Sequence, residues 1–410
     1  MNYLRNIFAG VSPTVRLLAL GRLVDMTTLW MAIPFMSLFV KNACGSDLTV
    51  GLVLALNPVA QLIGNLAGGQ WSDRRGRRPV ILYAMGLRAF VLLGFAFSHS
   101  VWQLAILWFG NGLVNALFNP AYTAAIADAT PPAQRADAYG ISRVASNLGV
   151  GLGPLLGAAL GVGAQQTIFT LAAISSALVA VAFYFWLPET HRGEQAEPMA
   201  GSRLRQTFDS WATIFADRAL LVFVAGGVLG QIAYGQVNST LALHLAETLP
   251  DYEKVYGFVW TLNGLLVVLL QLPVTAIFKR VPMMVAAIVG CATFAAGYLL
   301  FAWSDTALHV HTATVVWTVG EIILAVPTST YITDIAPVNL RARYAGAGAL
   351  DRAVGGIIAP MLGTAALHAF GGRWAMVGAG ASILCAGVMY SLAERERTRR
   401  LLLEAGELAG

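Results

Sequence analysis

The sequence predicts an all-α membrane protein: twelve transmembrane helices arranged as two pseudo-symmetric six-helix bundles. Three observations carry that prediction. Of the 410 residues, 57% are hydrophobic and only 11% charged, with a mean hydropathy of +0.67, whereas a soluble domain carries about 25% charged residues. Twelve apolar stretches follow one another with short polar breaks, each close to the length of about 20 residues that a spanning helix needs. The polar landmarks of the first half recur in the second at a fixed offset.

The first six stretches cover 14–40, 49–70, 79–98, 101–127, 136–161 and 165–187. The first is too long for the core of a cleavable leader, and Met1–Gly10 before it is short, so no leader is expected. The second and third are joined by Asp73, Arg74, Arg75, Arg77 and Arg78, too tight a turn to be anything but a membrane-surface hinge. After the sixth comes the one long polar connection, 188–216, with Glu189, Arg192, Glu194, Glu197, Arg203, Arg205 and Asp209. It reads as a linker, with a short surface helix expected around 203–215. The remaining stretches are 219–246, 254–278, 282–303, 308–335, 341–368 and 372–392. The expected division is therefore 1–187, linker 188–216, 217–394 and a tail 395–410. Pro34, Pro58, Pro120, Pro273 and Pro327 are expected to kink their spans. Trp102, Trp186, Trp303 and Trp374 fall at span ends, where indole anchors at the membrane interface.

Charge placement sets the orientation. With both termini inside, 19 of the 26 basic residues fall in inner loops or at inner span ends, and only Lys41, Lys254 and Arg373 fall outside. Cytoplasmic loops of membrane proteins carry this excess, so a multi-pass protein of the inner membrane with both termini cytoplasmic is expected. The net charge of +5 is thereby absorbed and nucleic acid is not an expected partner. The three cysteines, Cys44, Cys291 and Cys385, have no metal-ligand spacing and read as packing residues. No metal, cofactor, phosphate loop or nucleophile–base pair is legible, which sets enzyme and ATP-driven pump aside.

The repeat is clearest at an offset of 206 residues. Asp128 falls on Asp334, Pro131 on Pro337, Arg135 on Arg341 and Gly140 on Gly346; further on, Gly149 falls on Gly355, Pro154 on Pro360 and Gly157 on Gly363. A duplicated six-helix unit places a transported substrate near the midplane between the halves.

The run Gly69-Gln-Trp-Ser-Asp73-Arg74-Arg75-Gly76-Arg77-Arg78 is similar to the helix 2–3 loop signature of the major facilitator superfamily, G-x-x-x-D-R-x-G-R-R/K. The resemblance covers essentially the whole chain. A second run, Gly149-Val-Gly-Leu-Gly153-Pro154-Leu-Leu-Gly157-Ala158, resembles the fifth-helix motif of the drug:proton antiporter branch, with Ala158 in place of its last glycine. Small residues four apart also read as plain close helix packing, and both readings stand. The chain departs from the pattern on the fourth helix, where an arginine motif is replaced by Trp108-Phe-Gly-Asn111-Gly112. If that arginine tunes a neighbouring proton site, this protein uses another cation or does without. The matching loop of the second half, Ile277-Phe-Lys279-Arg280, has no acid. The resemblance implies a conformational latch of Gly69, Asp73, Arg74, Gly76, Arg77 and Asp128. In it Asp73 would face the N-terminus of helix 11, near Arg341–Ala345, and favour the outward-open state.

Charges inside spans point to function, because they are costly in hydrocarbon. Glu321 lies thirteen residues past Leu308, near mid-depth, and its surroundings resemble the tenth helix of some multidrug antiporters. It is the first proton-coupling candidate; the alternative is a carboxyl locked in a structural hydrogen bond. Asp25 is the second, with Arg22 three residues away on the same face; if the two pair, Asp25 is a poor proton carrier. Candidate cavity residues are Arg22, Trp30, Asn115, Arg143, Gln231, Tyr234, Gln236, Asn238 and Trp317, with simple helix–helix hydrogen bonding as the alternative for the amides. Arg143 and the Asp351–Arg352 pair read either as inner-gate ion pairs or as attraction for an anionic headgroup or carboxylate. Arg88 is expected to extend its side chain towards the membrane surface.

Together these readings predict a monomeric, proton-coupled exporter of lipophilic, cationic small molecules, whose partners are its substrate, protons and membrane lipids. A lipid or glycolipid flippase, or a carrier of anionic metabolites, is the alternative that Arg22, Arg143 and Arg352 favour.

Overall fold

In the computed structural model the described residues are 11–131, 134–161, 164–190, 216–278, 280–337 and 340–409. The linker expectation therefore falls mostly outside the described residues, including the surface helix at 203–215. Fifteen α-helices make up twelve rods, and no strand occurs among the described residues. The first rod is α1 (Pro13–Trp30) and α2 (Met36–Cys44), separated by a 3₁₀ turn at Ile33–Phe35 that contains Pro34. Proline has no N–H and crowds the preceding turn, so the rod breaks there. Next come α3 (Asp47–Arg75), α4 (Arg77–Ala96), α5 (Val101–Asp128), α6 (Arg135–Leu160) and α7 (Gln165–Trp186). The second series is α8 (Arg218–Ser239) with α9 (Leu241–Thr248), α10 (Tyr252–Phe278), α11 (Met283–Ala302), α12 (Ala307–Ile335), α13 (Arg341–Gly348) with α14 (Leu350–Phe370), and α15 (Gly372–Ala409).

Eleven of the rods are long and apolar enough to cross a membrane; α6 is the exception. Its Arg143, Asn147, Pro154 and glycines dilute its apolar content. Elsewhere the surface is inverted relative to a soluble protein. Phe90, Phe185 and Leu308 are exposed, whereas Asp25, Arg88, Asn111 and Gln236 are buried. Lipid replaces water around such a surface, and polar groups must find partners inside. Trp102, Trp186, Trp303 and Trp374 are all exposed at helix ends, as interface anchors require.

Helix starts follow their sequence. The Ser12 hydroxyl accepts from the Val15 N–H at 3.3 Å, with Pro13 at the first helical position. Gln103 reaches back to the His99 and Ser100 N–H groups at 2.9 and 3.2 Å, and Thr306 accepts from His309 at 3.3 Å. The segment expected as a tail continues α15 unbroken to Ala409, with Arg397 and Glu394 paired at 3.4 Å one turn apart.

The chain divides into two compact units. The first comprises Met1–Ala196 together with Pro250–Gly264, and the second Glu197–Leu249 with Leu265–Gly410. In the first, α1 packs on α6 and α7, α3 on α5, and α4 on α5 and α7. In the second, α8 packs on α14 and α15, and α11 on α12 and α15. The 206-residue repeat is visible inside these pairs. Gly149 and Gly157 of α6 abut α1, and their counterparts Gly355 and Gly363 of α14 abut α8.

Candidate functional site

In the second unit, α8, α11, α12, α14 and α15 line an open cavity of about 630 Å³. Glu321, half-buried on α12, stands on its wall with Gln231 and Tyr234 of α8, Phe294 of α11, and Asp351 and Arg352 of α14. Two carboxylates, one guanidinium and an aromatic wall thus share one space. Glycines bring the helices close enough for this: at Gly320 a Cβ would run into the Phe294 backbone, and at Gly227 it would meet the Asp351 carboxylate at 2.7 Å. Tyr234 is held by stacking on Trp317, with centroids 5.6 Å apart and planes at 25°. A site of this kind can bind an organic cation through ring faces and carboxylates, and a carboxyl on its wall can exchange that cation for a proton.

Others of the candidate residues do not line this cavity. Trp317 is 0% exposed, packed behind Tyr234 against Phe294 and Tyr298, so it supports the wall rather than forming it. Gln236 is a packing residue: it donates to the Ala359 carbonyl at 2.9 Å and to Ile232 at 2.8 Å, and accepts from Thr240 at 2.6 Å. Burial in an apolar helix pair makes those bonds obligatory. Asn238 is half-buried and does not reach the lining. Asp351, read from sequence as a gate or headgroup residue, lies on the same wall as Glu321.

The first unit holds a different polar cluster. Arg88 of α4 is 0% exposed, and its Nη1 donates to both Asp25 oxygens at 2.5 and 2.6 Å. Its Nη2 donates to the Asn115 side-chain oxygen at 2.7 Å. This corrects the expectation that Arg88 extends to the membrane surface: a carboxylate one helix away offers a better partner than the distant interface. Arg22 approaches the same Asp25 at 3.8 Å and donates through Nε to Ser146 of α6 at 3.2 Å. Both guanidiniums lie over the Phe118 ring, at 5.5 and 5.2 Å. Arg143 is exposed on α6. On α5, where the arginine motif is missing, Trp108 donates to the Leu54 carbonyl at 3.0 Å and Asn57 to the Trp108 carbonyl at 3.0 Å. The buried cation that meets Asp25 in this unit comes from α4.

At the α3–α4 turn, Arg77 joins three groups. It contacts Asp73 at 2.5 Å, Asp128 at 3.1 Å and the Ser72 hydroxyl at 3.0 Å, so one base bridges two acids at this turn. Gly69 lies within α3, and Arg74 is exposed. Gly76 has φ +93°, a conformation that costs a side-chain-bearing residue. A residue not picked out from sequence completes the turn. The Glu189 carboxylate, beyond α7, accepts from the Arg77 and Arg78 backbone N–H groups at 3.0 and 3.2 Å and so caps α4. Only its acidity near a turn of free N–H groups signals this, and the 112-residue separation hides it.

The α6 glycines serve close packing. A Cβ at Gly149 would meet the Thr27 backbone nitrogen at 2.8 Å, one at Gly153 the Trp30 backbone at 2.8 Å, and one at Gly157 the Met31 backbone. The opposite face of α6, with Gly151, Pro154 and Ala158, meets the start of α10. There Thr261 donates to the Gly151 carbonyl at 2.8 Å, and a Cβ at Gly257 would meet the Pro154 carbonyl at 2.9 Å. Trp30 stands edge-on to Trp260, with centroids 5.2 Å apart.

Comparison with known proteins places this geometry. The family model of the Major Facilitator Superfamily matches residues 18–360. A Na(+), Li(+), K(+)/H(+) antiporter of Planococcus maritimus is 27% identical over 398 residues, which cover 90% of this chain and 93% of that protein. The class H tetracycline resistance protein of Pasteurella multocida is 27% identical over 230 residues, 56% of this chain and 54% of that one. Among solved structures, a bacterial homolog of the human lysosomal transporter Spinster superposes with a TM-score of 0.79 at 17% identity, covering 94% of this chain and 98% of that one. Likeness at that identity bears on the fold alone.

Proposed function

Because the chain belongs to the major facilitator superfamily, we propose that it exports lipophilic, cationic small molecules in exchange for protons, by alternating access. It is a multi-pass membrane transporter and not an enzyme. The observation that carries the proposal is the second-unit cavity, where Glu321 stands beside Tyr234 and Phe294. Aromatic faces attract a desolvated organic cation, and a proton moving to Glu321 as the cation leaves keeps the site's charge constant. The tetracycline-resistance relatives support a role in efflux. The distribution of 19 basic residues against three supports an inner-membrane protein with both termini cytoplasmic.

The test uses everted vesicles. Ethidium uptake driven by a pH gradient is expected in the unaltered protein and lost, by about tenfold or more, in Glu321→Gln. Unchanged uptake in that variant would remove Glu321 from coupling. A second reading, exchange of an alkali cation for protons, is favoured by the Planococcus maritimus relative and its 90% coverage of this chain. It predicts that added Na⁺, Li⁺ or K⁺ dissipates a preformed pH gradient with no dye present. One-sided retention of a labelled lipid, with neither activity, would turn the reading to a flippase.

A further inference from the structure

We infer that Arg88 is a positioning residue that occupies Asp25 as a fixed, self-neutralising pair, so that Asp25 carries no proton in the transport cycle. The inference rests on the proton-coupled reading above, because it assigns coupling to the second unit.

Arg88 Nη1 reaches both carboxylate oxygens of Asp25, and Nη2 is anchored on Asn115. Arg88 is 0% exposed and Asp25 1%. A carboxylate held in that way is screened from solvent by its own partners, and both of its oxygens are already engaged by a cation. Arg22 stands at 3.8 Å as a second cation, tied to Ser146. The elements packed around the cluster are α1, α4, α5 and α6, and the groups they present to Asp25 are Arg22, Arg88, Asn115, Phe118, Tyr122, Ser142 and Ser146. Tyr122 donates its hydroxyl to Leu18 at 3.3 Å or shares a bond with Ser142 at 2.8 Å. Among these described groups Asp25 is the only acid.

The charge count sets the test. Two guanidiniums and one carboxylate sum to +1. Removing the acid alone leaves +2 in a buried space, and removing Arg88 alone leaves zero, with Asp25 shifted towards Arg22. Removing both returns the sum to +1. If Asp25 only balances Arg88, the double neutral variant should transport. If Asp25 shuttles protons, no change at Arg88 can restore it.

Tetraphenylphosphonium transport is measured in proteoliposomes in two modes: driven by a pH gradient, and as exchange of labelled for unlabelled cation. Asp25→Asn is expected to lose about tenfold or more in both modes, because a buried charge is left unpaired. Arg88→Lys, which keeps the cation but not the fork that also holds Asn115, is expected to lose less than Asp25→Asn in both modes. Asp25→Asn combined with Arg88→Gln is expected to recover both modes to within about threefold, a non-additivity diagnostic of the pair. A double variant that exchanges cation but fails to use the pH gradient would overturn the inference, since Asp25 would then carry the proton. Full activity of Asp25→Asn alone would overturn it too, as would a double variant that does not fold. Glu321→Gln in the same vesicles separates the two readings. If that variant keeps gradient-driven transport, second-unit coupling fails whatever the Asp25 variants do.

Discussion

Arg77 shows how far the energetics of one side chain can be taken. It is mostly buried, but its partner Asp73 is 51% exposed, and Asp128 is 28% exposed. Exposed ion pairs contribute about 0–1 kcal/mol, so Asp73→Asn should lower stability by less than about 1 kcal/mol while slowing transport. Thermal unfolding in detergent, alongside transport assays, checks this. A loss of several degrees would make the cluster a structural clamp instead of a latch. Gly76 carries more stability than its charged neighbours. Its positive φ costs a substituted residue about 1–2 kcal/mol, and a Cβ there would also meet the Glu189 carboxylate at 2.5 Å. Gly76→Ala should therefore unfold at a lower temperature than Asp73→Asn. The charges of this turn are legible in sequence because they are local; the Glu189 cap is not, because a carboxylate 112 residues away meets α4 only after folding.

For helices, the repeat explains which surfaces meet. Gly153 of α6 lets α1 approach to backbone contact, yet its counterpart at the 206-residue offset is Ala359. The second unit compensates on the facing helix, where a Cβ at Gly235 of α8 would meet the Ala359 Cβ at 2.5 Å. The small residue has moved across the contact while the closeness is kept. Gly235→Ala should therefore destabilise by about 1–3 kcal/mol through overpacking, and adding Ala359→Gly should return most of that loss. Equal stability of the single and double variants would show that α8 and α14 separate to accommodate the methyl. At the head of α4, Glu189→Ala removes a cap and should cost about 0.5–2 kcal/mol. Amide exchange slowed or unaffected in the first turn of α4 would contradict that role. The glycine spacing is readable in the sequence, but which helix each glycine faces is not, since small residues at helical spacing fit any close neighbour.

Across the whole molecule, the proposed orientation can be read with one native reporter. Cys44 is half-buried at the end of α2, and Arg74 is exposed at the far end of α3, a helix of 29 residues. At 1.5 Å per residue that helix spans about 44 Å, enough to put the two positions on opposite sides of a membrane. A membrane-impermeant maleimide applied to intact cells should label Cys44 and leave Arg74→Cys untouched in a background without Cys44. The reverse pattern would invert the topology.

Composition and periodicity alone determined that the chain crosses a membrane repeatedly, that it is built from two related halves, and where its charged turn lies. Those properties are sums over many residues, and hydrocarbon penalises each misplaced polar group in the same direction. Single residues in the interior were decided only by tertiary structure. Glu321 and Asp351 share a wall because α12 and α14 line the same cavity. Trp317 and Gln236 turn away into packing, and Arg88 finds Asp25 across 63 residues. A buried charge takes whichever partner folding brings within about 3 Å, and sequence distance carries no record of that meeting.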